Sequence, residues 1–461
     1  MENPLFLAPA LIAKYDQSGP RYTSYPTADR FNRGFTADDY MAAAKRSNAG
    51  SGPLSLYFHI PFCSTVCFYC ACNKVVTKDR GKAAPYLARL YQEIALQGAL
   101  FDRNRVVTQL HWGGGTPTFI SHDEMADLMR TTGEHFQLLS DDSGEYSIEI
   151  DPREAGKDTI AHLRWLGFNR ISLGVQDFDP KVQRAVNRLQ SREETLGVID
   201  AIRDNGFHSL SLDLIYGLPH QTVQSFATTL ERVIELQPDR LSIFNYAHLP
   251  ERFKPQRRIN EADLPSASEK LDILQMTGEK LAAAGYVYIG MDHFARPDDS
   301  LAIAQREGNL YRNFQGYSTQ ADCDLVAMGA TAIGMVADTY SQNPRDMDAY
   351  LAAIDAGRVP IVRGLRLSQD DLIRRAVISQ LMCHFSLYFV AVDLAWRIRS
   401  REYFATELAE LQAMADDGLL ILNEQGIRVL PPGRLLIRNI CMVFDAWLRS
   451  GDTETRFSRV I

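Results

Sequence analysis

The sequence predicts an α/β fold: a TIM-type partial (β/α) barrel of parallel strands, followed by a mostly helical C-terminal domain with a winged-helix-like hairpin. Three observations lead there. Between about residues 51 and 298, short β-branched or aromatic runs alternate with longer stretches of helical periodicity, the pattern of βα units around a parallel sheet. Near residue 300 that rhythm stops and helical patterns take over. At 461 residues the chain exceeds what one hydrophobic core usually organises, so a large domain with a smaller companion is expected.

The elements follow in order. Residues 1–50 read as an N-terminal extended arm, because Pro20, Tyr22, Tyr25 and Pro26 crowd a stretch where proline fixes φ and removes a donor. Strands are expected at 55–60, 106–112, 146–150, 170–175, 210–216 and 241–246. Helices are expected at 83–100, 123–136, 159–166, 195–205 and 225–236, where apolar residues recur at three and four. Six such units point to a TIM-type barrel or an open part of one, with chemistry gathered at the C-terminal ends of the strands. Residues 286–291 read as a last, peripheral strand. The barrel domain is drawn at 51–298 and the C-terminal domain at 299–461. The latter carries helices at 370–384 and 402–417, a hairpin of 419–422 with 427–430, and a final helix at 434–448.

Composition excludes several function classes. With 46% hydrophobic and 23% charged residues the chain is neither disordered nor a disulfide scaffold. Its net charge of −8 disfavours broad electrostatic binding to nucleic acid or an anionic membrane, so an anionic substrate must be met by a local cluster of cations. The winged tail alone would suggest DNA, and the acidic balance argues against it. No run approaches the ~20 apolar residues of a membrane span. The apolar run 5–13 lacks a basic start, follows Glu2 and is broken by Pro9, so a cytoplasmic chain is expected.

Seven cysteines at this length do not form a secreted disulfide framework. Four of them, Cys63, Cys67, Cys70 and Cys72, crowd the loop after the first expected strand. Cys63, Cys67 and Cys70 can wrap one metal centre. Zinc would want a fourth ligand, whereas an iron–sulfur cube held by three thiolates leaves one iron open to a small molecule. Cys72 could close the site, but its single-residue gap from Cys70 makes joint ligation awkward. A zinc loop and buried structural cysteines remain the alternatives, and Cys323, Cys383 and Cys441 read as core packing.

The cysteine spacing resembles the signature of the radical S-adenosylmethionine (SAM) enzymes. The stretches Tyr57-Phe58-His59-Ile60-Pro61-Phe62-Cys63, Cys70-Ala71-Cys72-Asn73-Lys74 and His111-Trp112-Gly113-Gly114-Gly115-Thr116-Pro117-Thr118 are similar to those of the oxygen-independent coproporphyrinogen III oxidases within that group. The similarity extends to the arm at 20–27 and to blocks at 174–178, 213–219, 244–248, 291–295, 313–317 and 457–461.

This resemblance implies one 4Fe-4S cluster on Cys63, Cys67 and Cys70. It implies a SAM molecule at that cluster contacted by Tyr57, Gly114, Glu149 and Ile333. A second SAM molecule would be contacted by Tyr69, Gly115, Thr116, Gln176, Arg188, Asp213 and Ala247. The family commonly has phenylalanine at the position of Tyr69 and tyrosine one place earlier; here the order is Phe68-Tyr69. Catalytic candidates are Cys72, matched by a cysteine the family requires without using it as an iron ligand, and His59, one strand step from Tyr57 on the same face. Read without the resemblance, the Gly113–Gly115 loop can also be a tight turn, and Glu149, Gln176, Arg188, Asp213 and His59 read first as satisfied buried polar groups.

The implied reaction is oxidative decarboxylation of two propionates of coproporphyrinogen III to vinyl groups, through a 5′-deoxyadenosyl radical, giving protoporphyrinogen IX. It needs a reductant for the cluster and a terminal electron acceptor, and a monomer is expected. Lys254, Arg257, Arg258 and Arg21 are the candidate cations for the substrate's carboxylates, and the arm is expected to fold over the barrel mouth. Two rivals stand beside this reading. One is a haem-binding chaperone on the same scaffold, whose members place an aromatic residue at Cys72 and lack the arm. The other is a zinc-bearing DNA-binding regulator.

Overall fold

The computed structural model describes residues 9–50, 52–321 and 323–449. The closing 457–461 block and the start of the apolar run 5–13 lie outside them. Six parallel strands form the centre: β1 (Leu54–Ile60), β2 (Val106–Gly114), β3 (Glu145–Ile150), β4 (Arg170–Gln176), β5 (Ser209–Tyr216) and β6 (Arg240–Asn245). They lie side by side in chain order, each paired in parallel with the next. Helices Ala83–Gly98, His122–His135, Lys157–Trp165, Arg192–Asp204 and Val223–Glu235 connect them. Several start on a capping box, as where Ser191 and Glu194 each accept the other's backbone N–H.

Apolar and polar residues alternate along the strands, most regularly in β1 and β5. In β1, Leu54, Leu56, Phe58 and Ile60 are buried, while Ser55, Tyr57 and His59 point the other way. In β5, Leu210, Leu212 and Leu214 alternate with Ser209, Ser211 and Asp213. The apolar set belongs to the main core; the polar set lines the concave face, with Gln109, His111, Glu145, Ser147, Glu149, Arg170 and Ser172 from the intervening strands. The concave face is therefore a polar, solvent-holding interior.

The sheet stays open. Beyond β6 the antiparallel pair His293–Ala295 and Val287–Gly290 forms one edge; Val287–Gly290 falls within the span expected for a peripheral strand, and His293–Ala295, which pairs with β6, lies beyond it. At the other edge Asp324–Met328 pairs in parallel with β1 and is followed by antiparallel Ile333–Val336, Thr339–Gln342 and Arg363–Arg366. Among the described residues the two edges do not pair, so the barrel is partial. The strands between 311 and 366 correct the expectation that helical patterns dominate from 299; the helical part begins at Gln369–His384. Their short runs bury both faces against other elements, which leaves no periodicity to separate strand from helix.

The hairpin is present as Leu420–Leu422 with Gly426–Val429, joined by Ser386–Tyr388 into a three-stranded winged sheet. The helix expected at 402–417 is broken at Phe404, and the one expected at 434–448 consists of three short helices. Residues 1–50 are not simply extended either: Pro9–Tyr15 and Ala37–Ser47 are helices. Tyr22 and Tyr25, at 4% and 2% exposure, sit in the main core. Tyr22 donates to Asp445 at 2.9 Å, and Tyr25 OH accepts from Ala446 N–H at 3.2 Å, which pins the arm to the C-terminal helices. The Tyr25–Pro26 peptide is cis.

Candidate active site

The cysteine loop leaves the C-terminal end of β1 and is tied down on every side. A short strand, Phe62–Cys63, pairs with Val75–Val76 and closes the loop's neck. Phe68 N–H donates to Val186 O at 2.9 Å, Asn187 Nδ2 to Val66 O at 2.8 Å, and Gln256 Nε2 to Tyr69 O at 2.9 Å. The main chain of the loop is thus held by one backbone and two side-chain bonds from segments after β4 and β6.

Two adjoining cavities open beneath it. One, of about 180 Å³, is lined by Cys63, Cys67 and Cys70 together with Tyr69, Gly115, Thr116, Gln176, Arg188 and Asp213. The other, of about 290 Å³, is lined by Tyr57, His59 and Ile333. Cys72, Gly114 and Glu149 line both. Of the residues expected to hold the cluster, contact SAM or act in catalysis, Ala247 lies elsewhere, in a third cavity, and Gln256 links it back by donating to both its carbonyl and that of Tyr69.

Gly114 and Gly115 serve close approach. Gly114 has φ +117°, and a Cβ there would stand 2.8 Å from the His59 ring; on Gly115 it would stand 2.6 Å from Phe62 O. The β2 loop can therefore lie flush against the cysteine loop, and Gly114 N–H is left to donate to Glu149 Oε2 at 3.2 Å.

A polar shell surrounds the thiols. Arg188, 6% exposed, donates to Asp151 at 2.9 Å, to Gly174 O at 2.7 Å and to Cys67 Sγ at 3.5 Å. Arg153 also reaches Asp151 and Cys67 Sγ, and Thr116 Oγ1 donates to Cys63 Sγ at 3.6 Å. Desolvation pushes the Asp151 carboxyl up, but the two guanidiniums outweigh it and hold it below the usual range. Among the described residues, no cation forms an ion pair with Asp213. Burial pushes it up to about 6 although Ser172 donates to it at 2.9 Å. Desolvation also works against the Glu149 carboxylate, yet His111 and Gly114 N–H hold it down overall. The Cys72 thiol bonds to Cys70, which brings Cys70 down to about 5 and leaves the proton on Cys72.

His59 has both ring nitrogens engaged: Nδ1 accepts from Tyr57 OH at 3.1 Å and Nε2 faces Asn73 O at 3.0 Å. Desolvation lowers its pKa, so the ring is neutral with its proton on Nε2. With no nitrogen left for substrate, His59 ties the end of β1 to the far side of the cysteine loop. Tyr57 stacks on His111 at 5.9 Å between ring centroids. Of the candidate substrate cations, Lys254, Arg257 and Arg258 are exposed, Arg257 donating to Pro250 O and Arg258 lying over the Phe68 ring. Arg21 forms an ion pair with Asp292. Asp151, Arg153, His111 and Gln256 were not picked out from the sequence; the Asp151–Arg153 pair, just past the end of β3, was within reach of the rule that strand ends carry chemistry.

The donor set suits a cube better than a single ion. One tetrahedral ion needs its ligands converged on a point, and among the described residues no three His, Cys, Asp or Glu side chains converge so. The three thiols instead stand around a shared cavity with N–H and O–H donors aimed at two of their sulfurs, the arrangement that tunes iron–sulfur thiolates.

Residues 57–233 match the Radical SAM superfamily, and residues 367–436 match the HemN C-terminal domain. The chain is 57% identical over 451 residues to the oxygen-independent coproporphyrinogen III oxidase of Pseudomonas aeruginosa, covering 98% of each chain. It is 52% identical to the Escherichia coli enzyme of the same name, with the same coverage. The solved structure of coproporphyrinogen III oxidase (HemN) from Escherichia coli, described as a radical SAM enzyme, superposes with a TM-score of 0.92 at 50% identity, over 96% of this chain and 100% of that one. An open (β/α) sheet with three thiols at its mouth and end-to-end identity of this size place the chain in one family: it belongs to the oxygen-independent coproporphyrinogen III oxidases of the radical SAM superfamily.

Proposed function

We propose that this chain converts two propionates of coproporphyrinogen III to vinyl groups without oxygen, giving protoporphyrinogen IX. The observation that carries the reading is the convergence of Cys63, Cys67 and Cys70 with Glu149, Gln176, Arg188 and Asp213 on one cavity at the strand ends. In it, Cys63, Cys67 and Cys70 hold a 4Fe-4S cluster. Tyr57, Gly114, Glu149 and Ile333 seat SAM, with the Glu149 carboxylate and the adjacent glycine backbone facing its polar end. A cluster on Cys63, Cys67 and Cys70 with SAM beside Glu149 would supply the one-electron chemistry that activates a propionate β-C–H, each propionate giving CO2 and a vinyl group with the last electron passing to the terminal acceptor.

The chain's own work is positioning and exclusion. The two glycines let the loops close, the buried Arg188–Asp151–Arg153 shell keeps water off Cys67, and the polar concave face holds the ligands at the barrel mouth. A second SAM beside Tyr69, Thr116, Gln176, Arg188, Asp213 and the Ala247 carbonyl is part of the proposal, as are a separate reductant, a terminal electron acceptor and a cytoplasmic setting. No helix among the described residues is long and apolar enough to cross a membrane.

The test is anaerobic reconstitution with iron and sulfide, then incubation with dithionite, SAM and coproporphyrinogen III. Methionine together with protoporphyrin after oxidation is the expected result. Methionine without protoporphyrin would assign another substrate, and stable haem uptake with neither product would favour the chaperone.

A further inference from the structure

A cavity of about 520 Å³ lies beyond the cluster cavities, at the C-terminal ends of β5 and β6. Tyr216 and Asn245 line it from those strands, Lys270 from helix Ala267–Ala283, Arg21 from the arm and Arg438 from the C-terminal helices. Through Gln256, which bonds the carbonyls of Ala247 and Tyr69, it shares a wall with the cysteine loop. Its volume falls in the range that encloses a ligand of several hundred daltons.

Two polar groups in its wall are left incomplete by the protein. Lys270 donates to Tyr246 O at 3.2 Å and, among the described residues, forms no ion pair; burial alone lowers its pKa. A part-buried cation without a counter-charge is costly unless a ligand supplies one. The lysine stem runs close over the turn after β5: Gly217 has φ +84°, and a Cβ there would stand 2.8 Å from Lys270 Cε. The second group is Asn245 Oδ1, a buried acceptor that finds no donor among the described residues. A ligand that satisfies both carries a carboxylate and an N–H, between apolar walls that include Leu249 and Leu274.

We propose that this cavity receives one pyrrole unit of the tetrapyrrole, Lys270 pairing with a propionate on the outer rim that does not react and Asn245 Oδ1 accepting a pyrrole N–H from the inner side of the ring. The proposal rests on the function proposed above and adds the subsite that orients the substrate.

The experiment uses the reconstituted holoenzyme with coproporphyrinogen III and SAM varied separately. Lys270→Met is expected to raise KM for coproporphyrinogen III about 10- to 100-fold, the loss of one charge-assisted bond, with iron content and KM for SAM unchanged. Lys270→Arg should recover part of that loss, and Asn245→Ala should raise the same KM several-fold. An unchanged KM for coproporphyrinogen III in Lys270→Met and Asn245→Ala overturns the subsite. A rise in KM for SAM instead assigns the cavity to the amino-acid carboxylate of that cofactor and likewise overturns it. If the parent enzyme forms no protoporphyrinogen at all, the functional reading fails first, and the subsite with it.

Discussion

Removing the Arg188 guanidinium is expected to make the cluster harder to reduce. Arg188 Nη1 stands 3.5 Å from Cys67 Sγ and 2.9 Å from Asp151 Oδ2. Two unit charges ~4 Å apart interact by about 4 kcal/mol at an effective dielectric constant of about 20. An electron added to a cube is shared over four irons, so about a quarter of that, ~1 kcal/mol, is felt at the corner held by Cys67. Asp151 opposes part of it. For a one-electron couple ~1 kcal/mol is about 40 mV, so a shift of ~20–40 mV is expected. The sign follows from charge: a cation favours the more negative, reduced state, so Arg188→Met lowers the potential. Asp151→Asn, which removes the opposing carboxylate, raises it. The assay is an anaerobic redox titration read by electron paramagnetic resonance, on variants whose iron content matches the parent. An unmoved or raised potential in Arg188→Met, or shifts of the same sign in both variants, would refute the reasoning.

Serine at Cys63, Cys67 or Cys70 is expected to abolish bound iron, measured by iron analysis, whereas Cys72→Ser should keep the iron and the absorbance of the cluster while losing turnover. Glu93 is buried beneath the 329–343 turn, where it accepts from Gly329 N–H, Asn343 Nδ2 and Tyr350 OH at 2.8, 2.8 and 2.6 Å. Burial pushes it up to about 7 against about 4.3 when unfolded, so the folded state holds the proton more tightly and loses stability as pH rises from about 4.5 to about 7. Melting curves across that window should flatten in Glu93→Gln; an identical slope in both proteins would remove Glu93 as its source. Deleting residues 1–30 strips Tyr22 and Tyr25 from the core, and at ~3–5 kcal/mol for each buried aromatic removed the truncated chain should melt far lower, as calorimetry would show.

The six parallel strands and their helices were legible because each combines a β-branched or aromatic run with a following 3.6-residue period. The same strands carry a second signal, of which the shared face of Tyr57 and His59 is one instance. Parallel strands buried on both faces read as continuous apolar runs, but β1 reads Leu-Ser-Leu-Tyr-Phe-His-Ile and β5 reads Ser-Leu-Ser-Leu-Asp-Leu. That period of two states that one face of the barrel is polar, and it places Tyr57, His59 and Asp213 on that face before any resemblance is invoked. The strands between 311 and 366 carry no comparable signal, since Asp324–Met328 becomes a strand by pairing with β1, about 270 positions away in sequence.

The site divides in the same way. The thiols announce themselves by spacing, because their chemistry needs them within one loop; the carboxylates at the strand ends, Glu149 and Asp213, carry no such spacing and take a role only through the resemblance. Gln256 is silent in sequence: it acts on Tyr69, 187 positions away, by a bond that exists only once the loop after β6 has closed over the cysteine loop. Lys270 is equally silent, one lysine on an otherwise ordinary helix, and becomes notable only where its stem runs close over Gly217.

The open edge of the sheet explains why the arm and the C-terminal helices are needed at all. A closed eight-stranded barrel has an interior just wide enough for side chains, too narrow for a tetrapyrrole with four carboxylates. Stopping the parallel run at β6 and turning back through His293–Ala295 leaves the mouth wide on that side. The gap is filled from a distance: Arg438 donates to Pro20 O at 2.9 Å, Tyr22 bonds Asp445, and Arg21 pairs with Asp292 beside the cavity. Residues from the two ends of the chain thus complete a wall that the barrel itself lacks. It follows that the arm cannot be a detachable lid: its tyrosines belong to the core, and only side chains such as Arg21, which face the cavity, are free to specialise in the substrate.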